Sequence, residues 1–239
     1  MRFLLFTVCM LVLTAAWAQA PAAGSEQRLF DAIDDGKELV AEGVMRNGKL
    51  NLDARNANGE TALHRAVEKG MKELARALVA AGANLRARSI NGETVLHLAA
   101  LHSDPALTAM LLGAGADARA RNDEGETVLH WAALSGNPQV GKLLLDKGAD
   151  PNLADLKGNR ALHAAADSGN MEMVRLILAR STDPKAKNRQ GLSAEEIAIE
   201  RSRPDIAAVL ARAVPVSAPG TGTSNYGTID IDLQPKERF

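Results

Sequence analysis

Apolar and polar positions along the chain recur in blocks of 33 residues. Within a block, a polar loop leads into a short stretch rich in alanine and leucine and then a break. A longer apolar run follows, such as Met110-Leu111-Leu112, Leu143-Leu144-Leu145 or Leu176-Ile177-Leu178. This pattern predicts two short antiparallel helices per block, joined by a turn. Gly59, Gly92, Gly125, Gly158 and Gly191 mark the period, and His64, His97, His130 and His163 keep it five residues after the first four glycines. Thr61, Thr94 and Thr127 hold a third column, where threonine is a natural N-cap for a first helix of roughly eight residues. Gly70, Gly136 and Gly169 break that helix, and Gly82, Gly115 and Gly148 form a loop column. Pro105, Pro138 and Pro204 share a position at the start of the second helix, where a missing N–H costs nothing; Asp104 and Asn137 precede two of them as caps. A lone unit cannot bury enough apolar surface to offset the entropy of ordering it, so the units must stack.

The clearest copies read NGETALHRA, NGETVLHLA and EGETVLHWA, followed by KGNRALHAA and a degraded QGLSAEEIA. They resemble the ankyrin repeat family, whose units carry a Gly-x-Thr-Pro-Leu-His-x-Ala first helix and a Gly-Ala-Asp loop before a β-turn finger. The resemblance covers five units, at residues 54–86, 87–119, 120–152, 153–185 and 186–213, with an N-terminal capping pair of helices at 25–53. It implies an all-α solenoid of stacked helix-turn-helix units with short β-turn fingers over residues 25–213. Ala62, Val95, Val128 and Ala161 stand where the family has Pro, Arg160 where it has Thr, and Ser181-Thr182 where it has the loop Gly-Ala. The fifth unit loses the histidine. Its Glu195, Glu196, Glu200, Arg201, Arg203 and Arg212 give it the polar outer face of a terminal cap.

Both ends of the chain break the rhythm. Arg2 precedes an apolar run from Phe3 to Leu13, too short to span a bilayer and the right length for a signal peptide, which we place at residues 1–18. Cleavage after Ala20 is the competing site, disfavoured because Pro21 would follow the scissile bond; a retained anchor is the alternative to cleavage. None of the 13 asparagines starts an N-glycosylation sequon, which favours a bacterial exported protein and hence the periplasm, with secretion as the alternative. Residues 214–239 read as a flexible tail rich in Pro, Gly, Ser and Thr. Within it, Ile229-Asp230-Ile231-Asp232-Leu233 alternates as an added strand would.

Composition narrows the function. The 28 basic and 29 acidic residues nearly cancel without long single-sign blocks, which argues against nucleic acid as a partner. The single cysteine, Cys9, leaves with the signal peptide, so neither a disulfide framework nor a cysteine-based zinc site is expected. Four evenly spaced histidines suggest a metal, but stacked helices lie about 8–10 Å apart, whereas zinc ligands must each come within about 2.1 Å of the ion. The resemblance instead makes this histidine structural, tying the first helix to the adjacent finger. Phosphate-binding and hydrolase motifs are missing from the sequence, and no cofactor, metal or catalytic residue is assigned. An enzyme would need ionisable groups converging in the groove, and the candidates Glu68, His102 and Asp167 sit in different units.

Binding is the better-supported class, because a row of first helices presents the same positions every 33 residues on a concave surface. The residue after the histidine, and those three and four further on, share one helix face. They are Arg65, Glu68 and Lys69, then Leu98, Leu101 and His102, then Trp131, Leu134 and Ser135, then Ala164, Asp167 and Ser168. The two central units thus place Leu98, Leu101, Trp131 and Leu134 side by side where solubility favours charge. Trp131, the only aromatic residue of the five repeats, is expected to face solvent as the anchor of a binding hot spot, with packing against its neighbours in the groove as the alternative. The finger tips extend this surface through Ile90, Asn91, Glu93, Asp123, Glu124, Glu126, Leu156 and Lys157. The columns Arg55, Arg88, Arg121 and Glu60, Glu93, Glu126 are expected to pair between neighbouring fingers, with partner selection by charge as the alternative. The chain therefore reads as a monomeric module that binds a protein partner, without stable membrane insertion after signal cleavage. Two roles compete: an accessory scaffold of the cell envelope, and an inhibitor or immunity protein that neutralises a toxic enzyme.

Overall fold

A computed structural model of the chain describes residues 24–47 and 49–215. The segment 1–18 expected to be a signal peptide, the alternating segment Ile229–Leu233 and the rest of the expected tail beyond residue 215 lie outside the described residues. Within them, twelve helices alternate as first and second members of a pair. The N-terminal pair is α1 (Ser25–Asp34) and α2 (Glu38–Arg46). The five repeats supply α3 (Ala62–Glu68) with α4 (Lys72–Ala80), α5 (Val95–Ala100) with α6 (Ala106–Gly113), and α7 (Val128–Ser135) with α8 (Pro138–Asp146). They close with α9 (Ala161–Ser168) and α10 (Met171–Leu178), then α11 (Ala194–Glu200) and α12 (Pro204–Ala211).

The first helices α1, α3, α5, α7, α9 and α11 pack in an unbroken row. Alanine makes that spacing possible: Ala66, Ala99, Ala132, Ala165 and Ala198 are all fully buried at equivalent positions. Leucines of both helices fill the space between, including Leu63, Leu78, Leu96, Leu111, Leu129 and Leu144, so the core is a continuous aliphatic strip along the stack. Among the second helices, α6 packs on α8 and α8 on α10. Here Gly141 makes room for Met173, since a Cβ at that position would lie 2.8 Å from its Sδ and the thioether would have to shift.

The fingers are ordered by a backbone ladder. Ile90 N donates to Asn58 O, Asp123 N to Asn91 O, Leu156 N to Glu124 O and Arg189 N to Lys157 O, at 2.8–3.0 Å. Each finger thus holds the next by one main-chain bond. The turn glycines Gly59, Gly92, Gly125, Gly158 and Gly191 all have positive φ, the left-handed region that glycine enters without steric cost. At Gly158 there is a second reason, because an added Cβ would come 2.8 Å from the backbone nitrogen of Arg189. Isolated antiparallel bridges, such as Arg121 with Thr127, close three of the fingers at their base.

The helix-breaking column varies with its residue. Gly136 and Gly169 cap α7 and α9 in the left-handed conformation. The second unit has Ser103 there, and α5 stops early, at Ala100; Asn137 Nδ2 from the next unit ties down the carbonyls of His102 and Ser103 at 3.1 and 2.7 Å. The fifth unit has Ser202, the one described residue other than glycine with positive φ, at 57°.

Candidate functional site

The predicted groove face is the least buried face of the first helices. Leu101 and Leu134 are 48% and 54% exposed, while Leu98, Trp131 and Ala164, at the position after the histidine, are half-buried. Trp131 therefore lies between the two expectations, packed on its neighbours and still partly exposed. Its indole lies back on its neighbours: Nε1 donates to Glu126 Oε2 at 2.8 Å, and its ring meets that of His97 edge-on, with centroids 5.4 Å apart. Leu98 likewise packs against the core. Both side chains are long enough to fold over the unit beside them, which removes apolar surface from water. His102 is half-buried beside Gly70.

Trp131 separates two depressions. On the finger side, a cleft of about 460 Å³ is lined by all six predicted residues of the second and third fingers, Ile90, Asn91, Glu93, Asp123, Glu124 and Glu126. On the other side, a hollow of about 250 Å³ runs from Trp131 and Leu134 past Ala164 to Ile197. Leu98, Leu101 and His102 line neither, so the structure separates Leu98 and exposed Leu101 from the ridge at Trp131.

Charges on the fingers are mostly spent inside the protein. The Arg and Glu columns do not pair with each other as expected. Arg55 donates to the carbonyls of Gly59 and Arg88, and Arg121 to those of Gly125 and Ala154, so arginine joins neighbouring fingers through the backbone. Glu60 and Glu126 accept from Asn56 and Asn122 Nδ2, and Glu93 from Ser89 Oγ, four residues earlier in the same finger. The reason is reach: the finger turn brings each arginine against main-chain oxygens, and each glutamate against the polar side chain opposite it. Arg88 is in addition bound to Asp123 at 2.7 Å, and Lys157 to Glu124 at 3.1 Å, across adjacent fingers.

The histidines have a uniform geometry. Thr61, Thr94 and Thr127 cap their helices, and in each case the backbone N–H and the hydroxyl of the threonine lie 2.8–3.2 Å from the Nδ1 of His64, His97 or His130. Nδ1 accepts from that N–H, so Nε2 carries the proton and points to a main-chain oxygen of the next finger: Glu93, Glu126 and Asn159 respectively. His163 does the same between Arg160 N and Ala186 O. Burial pushes all four below the usual imidazole range, His97 to about 4. Both ring nitrogens are thus committed to holding finger to helix. The sequence is matched at residues 29–122 and 81–155 by a family model of ankyrin repeats in three copies, and at 144–198 by one of ankyrin repeats in many copies. The chain belongs to the ankyrin repeat family. Comparison with curated proteins gives no match. Ankyrin repeats are generally non-catalytic modules of protein–protein interaction, and among the described residues no helix is long and apolar enough to cross a membrane.

The hollow beyond Trp131 is the part of this ankyrin groove that sequence reasoning missed. Ala164 and Ile197 continue the column of Trp131 by 33 residues each, so the register was visible. The polar residues of the fifth unit, Glu200 and Arg201 among them, point to a terminal cap. These two also line the hollow, Arg201 bound to Asp167.

Proposed function

We propose that this ankyrin repeat protein is exported to the periplasm and acts there as a non-catalytic accessory scaffold, binding a protein partner in its concave groove and against its finger tips. The observation that carries the reading is the Trp131 ridge. Its indole is fixed from behind by Glu126 and His97, yet it borders two open depressions, with exposed Ile90 lining one and exposed Leu134 the other. An aromatic side chain already held in one orientation loses little conformational entropy on docking, and such anchors dominate interface energetics. Export rests on the residue pattern of 1–18.

The test is affinity capture from a bacterial envelope extract by residues 19–239, beside the Trp131→Asp variant with unchanged helical circular dichroism. A protein retained by the wild type and lost with the variant supports the groove. Retention of the same protein by both forms overturns it. The captured partner's activity then separates the roles: an accessory factor preserves or raises it, and an inhibitor blocks it.

A further inference from the structure

The hollow between Trp131 and Ile197 exists because Ala164, between them in the column, has almost no side chain. With first helices about 8–10 Å apart, an alanine between a tryptophan and an isoleucine leaves a slot one helix wide. Its 250 Å³ equals the share of roughly eight liquid waters, below the size of a usual small-molecule site and suited to a single long side chain. Leu134 and Leu192 add apolar wall.

Its charge is one-sided. Glu126, Asp155, Asp167 and Glu200 line it against a single cation, Arg201, although the chain as a whole is nearly neutral. Asp155 is spent on the finger, accepting from the N–H groups of Lys157 and Asn159, and Asp167 on Arg201. Glu126 Oε2 already accepts from Asn122 Nδ2 and Trp131 Nε1, which leaves exposed Glu200 as the carboxylate open to a partner. Resting on the reading of the groove as a protein-binding surface, we propose that this hollow receives an arginine side chain flanked by apolar residues on the partner. The aliphatic stem of arginine suits the apolar walls, and its planar guanidinium is the cation most often placed on tryptophan and the natural match for carboxylates.

The probe is the peptide acetyl-Ala-Leu-Arg-Leu-Ala-amide beside its citrulline counterpart, which keeps the planar shape and removes the charge, with one terminal NH2 replaced by a carbonyl oxygen. Binding is read by fluorescence of residues 19–239, where Trp131 is the only tryptophan, and by the chemical shift of the Ala164 methyl group. The arginine peptide is expected to bind at least about tenfold more tightly at low salt, with the preference reduced by Glu200→Gln and both peptides lost with Ala164→Leu, which fills the slot. Equal binding of the two peptides, no binding of either, or binding unaffected by Ala164→Leu overturns the proposal. So does a much tighter complex with residues 19–215 than with 19–239, which would give the slot to this chain's own tail with its Lys236 and Arg238. Concentration-dependent dimers dissolved by the peptide would give it to a second copy. A captured protein lost with Trp131→Asp but kept by Ala164→Leu removes the slot and leaves the groove reading standing.

Discussion

The indole of Trp131 meets the ring of His97 edge-on, at 5.4 Å between centroids and 76° between planes. This contact joins the groove to the framework, since His97 holds its own helix cap and the third finger. Trp131→Phe keeps an aromatic edge but removes the N–H that Glu126 accepts. Glu126 retains Asn122 as a donor, so the expected loss of stability is about 1 kcal/mol. Trp131→Ala removes the packing as well and is expected to cost about 2 kcal/mol or more, short of a fully buried tryptophan. Urea unfolding of both variants checks the order.

The histidine column predicts acid lability with a defined window. A histidine whose folded value is depressed binds its proton more readily when unfolded, so stability is full above about 6.5 and falls as pH approaches 4. The loss for His97 alone is about 3 kcal/mol on this scale, and His64, His130 and His163 act in the same direction. Glu126 opposes the shift at His97, while Arg88 and His130 reinforce it. Glu196, held at about 2 chiefly by the Ser193 N–H, responds only at lower pH. The urea midpoint should therefore drop between pH 7.5 and 5, and His97→Gln, less stable at pH 7.5, should show a shallower slope. A midpoint unchanged over that range would contradict the assignment of neutral, buried rings.

Ser202 gives a prediction of opposite sign. It occupies the column of Gly70, Gly136 and Gly169 and takes their left-handed conformation without being glycine. Such a residue carries about 1 kcal/mol of strain, so Ser202→Gly should raise stability by up to that amount, less the added entropy of the unfolded chain. Gly136→Ala, at φ 68°, should lower it by a similar amount. Thermal unfolding of the two variants separates them.

The periodicity made the helices of the five repeats and the glycine turns legible, because each depends on one residue type at one register position; the resemblance to the ankyrin family implied the N-terminal helix pair and the histidine ties. Depth within the groove was not legible. Column phase says which face Trp131 and Leu98 occupy, but not how far each side chain lies down on its neighbours. The hollow at Ala164 depends on the contrast between three successive units, and it was hidden once Glu200 and Arg201 were assigned to a cap. The finger arginines were misjudged for a related reason: sequence spacing shows opposite charges in neighbouring columns, whereas main-chain oxygens, present at every position, were nearer.

The two central leucine positions should separate binding from folding. Leu134 is 54% exposed and borders the hollow, so Leu134→Glu takes little from the core and should change stability by no more than about 0.5 kcal/mol. Leu98 is packed against the core, so Leu98→Ala should cost about 1–2 kcal/mol, less than a fully buried leucine. Binding should respond in reverse: Leu134→Glu removes apolar wall on which the partner packs and should weaken its capture, whereas Leu98→Ala should retain it at temperatures where the stack is folded. Urea unfolding and affinity capture on the same two variants test both halves. Capture unaffected by Leu134→Glu would place the partner on the finger side of the Trp131 ridge, where Ile90→Glu is the corresponding variant.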